Sequence, residues 1–121
     1  MHPVLHHGKY VFISVPDTNH IPDEYIIGSF REQEGITIIL AKEAADRLNL
    51  KYDFIAAWIT LKVHSSLEAV GLTAAFSNAL TTHNISCNVI AGYFHDHIFV
   101  AEYDSKKALD VLHSMSGDLK K

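Results

Sequence analysis

The chain has little of what marks several large classes of protein. One cysteine, Cys87, stands among 121 residues. No intrachain disulfide can form, and a reducing compartment is expected. Cys87 sits inside an apolar run, where a cysteine behaves as a small buried hydrophobe. Nothing local signals the low pKa and access that a catalytic thiol needs. Basic residues are outnumbered, ten Lys and Arg against fourteen Asp and Glu, for a net charge of −4. Nucleic acid and anionic membrane therefore lack the electrostatic attraction they require, and neither is expected as a partner. No run approaches the roughly eighteen uncharged apolar residues of a membrane span. The opening MHPVLHHGKY lacks the charged stretch and apolar run of a secretory signal. These absences point to the cytoplasm. No solenoid period or low-complexity run is present.

Motifs of catalysis are missing too. The sequence has no HExxH, nucleophile elbow, phosphate-cradling glycine loop or spaced carboxylate pair. Glu32/Glu34 and Asp23/Glu24 read as solvated charges at loop and hairpin ends. Ser66 and His64 share one turn, whereas a catalytic serine and histidine are brought together by the fold. The expectation is a protein that is not an enzyme and needs no cofactor.

What is present is ordinary globular composition, 48% apolar and 20% charged. That is enough for one domain, or two very small modules sharing a core. Residues 1–9 read as an irregular lead-in broken by Pro3 and Gly8. KYVFISV, ending at Pro16, is a strand, and residues 16–24 are a loop rich in turn residues. The runs Tyr25–Glu32 and Ile36–Leu40 flank Gln33-Glu34-Gly35 as a hairpin. Residues 42–50 form a helix with Ala44, Ala45 and Leu48 on one face.

Residues 57–63 alternate Trp58, Thr60 and Lys62 against Ile59, Leu61 and Val63, a strand with one strongly apolar face. Ser65 and Glu68 fit a capping box that opens a helix. Ala69, Leu72, Phe76, Ala79 and Leu80 recur at helical spacing, and Asn84 is the stop. A hairpin follows, with strands at 85–92 and 97–103 and a turn at His95-Asp96. Asp104 then caps a last helix through Met115. Phe12, Trp58, Phe76, Phe94 and Phe99 fall at inward phases and are expected in the core. The order is βββα, then βαββα. The second half is a split β-α-β unit lacking its final strand, and an open edge there is a liability. The spare strands are N-terminal, so the halves 1–56 and 57–121 are expected to complete each other as one folding unit.

Chemistry is expected at the strand-to-helix turn, residues 64–71. The first helix amides have no intrahelical acceptor and carry partial positive charge, so a carboxylate is well received. His64, Ser65 and Ser66 add polar groups there, and Gly71 permits close approach. Asn88, polar in an apolar strand, is a candidate to fix a charged group or to satisfy a nearby loop. Tyr93 and Tyr103, near strand ends, can offer hydroxyls to a pocket or an interface. Nine histidines are many for this length. His95-Asp96-His97, His6-His7 and His64 carry donors that suit zinc, nickel or copper. They straddle a turn without a cysteine partner, so surface histidines and no metal site are expected, with His95 or His97 as pocket candidates.

The run WITLKVHSSLEAVGLTAAFSNALTTHNISCNVIAGYFHDHIFV, with HPVL and GKYVF near the start, resembles the ACT domain family over residues 3–115. The resemblance implies an α+β, ferredoxin-like antiparallel sheet with helices on one face. It also implies a regulatory or sensing module that binds a small ligand, most often an amino acid, and pairs into a homo-oligomer, a dimer or tetramer. Carried over, the turn glycine and its neighbours fall on Val70, Gly71 and Leu72. The facing strand falls on Asn88, Val89, Ile90 and Ala91. Many ACT domains have an acidic residue early in this turn, where this chain has His64-Ser65-Ser66. The alternatives are a ligand-free subunit that docks a partner enzyme, or a histidine-rich metal-binding protein.

Overall fold

The computed structural model describes residues 2–62 and 71–119, with side chains as far as Met115. Two compact units divide the chain: residues 8–56, and residues 1–7 together with 57–121.

In the unit of residues 8–56, β2 (Tyr10–Val15) and β3 (Gly28–Arg31) lie on either side of β4 (Ile36–Ala41), both antiparallel to it. Ile55 and Ala56 at the start of β5 (Ile55–Lys62) pair with Val11 and Tyr10. The alternation of β2 and β4 puts Val11, Ile13, Ile38 and Leu40 on one face, where they pack with Ala44 and Ala45 of α1 (Lys42–Arg47). Helix α1 stops at Asn49, whose φ of 57° is left-handed, and the amide of Leu50 then bonds back to the carbonyl of Ala45 at 2.9 Å. Asparagine tolerates that conformation better than most residues, and the apolar residue after it returns to the core.

The second unit has strand order β1-β5-β7-β6, with β1 at His2–Leu5, β6 at Asn88–Ala91 and β7 at Asp96–Ala101. Helices α2 (Leu72–Thr82) and α3 (Ser105–Leu119) lie side by side, and α3 also lies against β1. Ile59 and Leu61 from β5, Ile98 from β7, Phe76 and Leu80 from α2 and Leu112 from α3 close one core with no solvent exposure. Each such side chain contributes about 1.5–3 kcal/mol through removal from water. Helix α2 ends like α1, with Asn84 at φ 60° and the Ile85 amide on the Leu80 carbonyl at 2.9 Å. The fold is α+β and ferredoxin-like, as the sequence predicts.

Several details differ from expectation. Phe12 and Trp58, expected in the core, are only half-buried, because Val11 and Ile13 of β2 and Ile59 and Leu61 of β5 take the inward phase. Residues 2–5 are a strand rather than a lead-in, registered His2 on Lys62 through Leu5 on Ile59. This lead-in segment is what fills the edge place beside β5. Pro3 is tolerated because β1 bonds to β5 on one side, so a missing N–H on the other costs nothing. The second hairpin turns at Gly92–His95, closed by the Gly92 amide on the His95 carbonyl at 2.9 Å, so Asp96 and His97 belong to β7. Phe94 therefore sits at a hairpin tip, 74% exposed, and not in the core. Among the described residues α2 begins at Leu72 after Gly71; the expected capping box Ser65–Glu68 lies outside them.

Candidate functional site

Of the residues expected at the strand-to-helix turn, His64, Ser65, Ser66 and Val70 lie outside the described residues. Gly71 stands immediately before α2 with φ 97°, a left-handed conformation that glycine adopts without penalty. Its carbonyl accepts the first helical bond, from the Ala75 amide at 2.9 Å. The amides of Leu72, Thr73 and Ala74 precede that bond and have no acceptor within the helix. Leu72 is partly buried against the core of its unit, and so is Val89 of β6.

The four expected strand residues coincide with β6, but a strand turns alternate side chains to opposite faces. Val89 joins the core on the helix side. Asn88 and Ile90 stand opposite Phe99 and His97 of β7 and share the helix-free face with them. Ala91 is exposed at the strand's end. Asn88 spends one amide donor internally, Nδ2 to the Phe99 carbonyl at 3.2 Å. Tyr93, 80% exposed, meets Phe94 edge-on with ring centroids 4.9 Å apart. His95 is half-buried, and its Nδ1 is buried without a hydrogen-bond partner.

The helix-free face also carries a cluster that sequence reasoning did not assemble. The His6 ring lies flat on Trp58, centroids 3.6 Å apart and planes 9° from parallel. Nε2 of His6 is 2.6 Å from Oγ1 of buried Thr60, and the same Oγ1 is 3.0 Å from Nδ1 of His97. The indole N–H of Trp58 donates to that Nδ1 at 3.1 Å. Phe99 lies beyond, stacked on Trp58 at 6.0 Å. Burial first, then the neighbouring charge of His97 and of Lys62, holds His6 below the ordinary histidine range. Burial first, then His95, lowers His97 as well, while Asp96 opposes the shift. The available signal was the polar phase Trp58-Thr60 opposite Ile59-Leu61, which marks a second face but not its partners.

Among the described residues no three His, Cys, Asp or Glu side chains converge as a metal-holding group. Cys87 is half-buried against the core, and burial pushes its thiol up to about 11. It is protonated at neutral pH. An open groove of about 370 Å³ between α2 and α3 is lined by Ala79, His83, Lys107, Asp110, Ser114 and Met115, among others. No described helix is long and apolar enough to cross a membrane.

The ACT domain family matches this chain twice, over residues 1–57 and 54–114. Compared with curated proteins, the chain has no match. Among solved structures it is similar to a protein of unknown function from Vibrio cholerae, described as a possible transport protein. That likeness has 49% identity and a TM-score of 0.80, over 91% of this chain and 85% of that one. It shares its fold with a protein from Agrobacterium tumefaciens at 19% identity and TM-score 0.60, over 88% and 82% of the two chains. It also shares it with the aspartokinase alpha and beta subunits at 12% identity and TM-score 0.63, over 94% and 96%. With two family matches that together span residues 1–114 and the ferredoxin-like sheet that the family's fold requires, this chain belongs to the ACT domain family.

Proposed function

We propose that this protein is a non-catalytic regulatory module that binds a small molecule, an amino acid before other classes, and works as a homo-oligomer in the cytoplasm. The observation that carries this reading is the double ACT-domain match, because ACT domains generally bind amino acids in regulatory roles. Local chemistry supports it. The amides at the start of α2, which have no acceptor within the helix and follow a glycine in a left-handed conformation, suit a carboxylate. A thiol held at about 11 does not serve as a nucleophile at neutral pH.

Thermal unfolding with EDTA present, against each standard amino acid at millimolar concentration, tests the reading. A ligand at about a hundred times its dissociation constant adds about 2.7 kcal/mol, a shift of several degrees for a domain of this size. One clear responder is the expected result. No responder removes the amino-acid reading.

A second reading, a subunit that docks a partner protein, draws on Tyr93 and Phe94. Both are largely exposed at the tip of the β6–β7 hairpin, and exposed aromatics are costly without a use.

A further inference from the structure

We propose that His6, Thr60, His97 and Trp58 form an acid-sensitive latch, which holds the N-terminal strand β1 on β5 and lets it go when His97 takes up a proton at Nδ1. The proposal is independent of which ligand the protein binds.

The geometry assigns the protons. An indole N–H donates and has no lone pair to accept with, so the contact with Trp58 requires a lone pair on His97 Nδ1. Neutral His97 therefore carries its hydrogen on Nε2. The Thr60 hydroxyl donates to the same Nδ1, and its oxygen accepts the Nε2–H of His6. The Trp58 and Thr60 donors both point at one nitrogen, and the His6 N–H points at the Thr60 oxygen.

A proton at that nitrogen leaves the Thr60 hydroxyl a way out, since it can turn its hydrogen away and accept from His97. It donates to His6 only once that ring moves its own hydrogen from Nε2 to Nδ1. Trp58 has none. Its N–H then faces another N–H at 3.1 Å, and either the indole or the imidazole must move. Trp58 also carries the flat face of His6 and, through its carbonyl, accepts the His6 amide at 2.9 Å. Displacing the indole removes the side-chain hold at the end of β1. What remains is the backbone pairing of residues 2–6 with β5, a short edge that frays readily, and the packing of α3 against β1.

The charges around the cluster give the direction. His6 faces His97 and Lys62, and His97 faces His95 and Asp96. Asp96 alone favours the cation, and it is outweighed. Both rings stay neutral at neutral pH, with the latch closed. A histidine held below its unfolded value of 6.5 stabilises the fold above that value, and the contribution is lost as pH falls through the lower, folded value.

NMR of the full chain tests this, from about pH 7.5 to about pH 5, the range in which histidines titrate. The readouts are the ring nitrogens of His97, the indole N–H of Trp58 and the backbone order of residues 2–6. The expected result is one shared midpoint, at which residues 2–6 pass from strand-like to flexible relaxation. In Trp58→Phe, the donor that cannot reverse is gone but the stacking surface remains. There His97 should titrate at higher pH, and β1 should stay ordered through that titration. In His97→Phe, the order of residues 2–6 should no longer depend on pH; if that variant does not fold, the first two results decide. A β1 that stays ordered through the His97 midpoint in the native chain overturns the proposal. So does a β1 that loosens at a different midpoint, or one that loosens with His97 in Trp58→Phe.

Discussion

A methyl group on Gly92 would lie 3.2 Å from Nε2 of His97, and 2.8 Å from the carbonyl oxygen of His95. The glycine leaves the room that the imidazole occupies. Gly92 also donates the amide that closes the hairpin turn, so the backbone cannot simply swing away. Gly92→Ala is expected to cost about 1–2 kcal/mol, a fall of several degrees in Tm. The Trp58 indole N–H resonance should move with it, because its acceptor ring is displaced. An unchanged indole resonance would show that the His97 ring does not depend on this space.

Gly71 presents a different case, because no described atom lies within 4 Å of the place its Cβ would take. Its constraint is the backbone, at φ 97°. Gly71→Val should lose about 1–3 kcal/mol through strain alone and still unfold cooperatively. If the turn is a ligand site, the variant should also lose any stabilisation by the responding amino acid. Retained stabilisation would place the ligand elsewhere.

Cys87 should react slowly with a disulfide reagent in the native protein at mildly alkaline pH. Its thiol is half-buried and held at about 11, so the thiolate is scarce. In denaturant the rate should rise by at least about tenfold, as the pKa returns toward about 8.5. Equal rates before and after unfolding would contradict this environment.

Asp46 gathers two donors, the Tyr52 hydroxyl at 2.7 Å and the Lys42 ammonium at 2.9 Å. Tyr52 is the larger cause that holds its carboxyl below the usual range. In Tyr52→Phe the Asp46 carboxyl carbon should titrate at higher pH by NMR, while Tm hardly moves because the group is solvated. If removing the hydroxyl leaves that titration in place, the assignment to Tyr52 fails.

What the sequence determined by itself is local. The alternation of β5, the β3–β4 hairpin at Gly35 and the inward row of α2 follow from periods of two and 3.6 residues and from turn chemistry. The stop at Asn84 is legible too, because a short polar side chain permits a left-handed residue. The end of α1 was not, since the helical pattern runs on to Leu50 while the helix ends at Arg47. The likeness to ACT domains came from the same local runs. The β6–β7 turn was misplaced because His95-Asp96 is better turn chemistry than the Tyr93-Phe94 that the chain uses.

Only the tertiary structure decided where residues 2–6 go. Pro3 and Gly8 are local breakers, and the pairing that overrides them joins His2–Leu5 to Ile59–Lys62, far along the chain. The His6–Thr60–His97 cluster closes over separations of 54 and 37 residues. No sequence period records such contacts. Their register is set by which strands share the sheet, and that is settled by burying the apolar face of β5, not by the residues that meet on the other side.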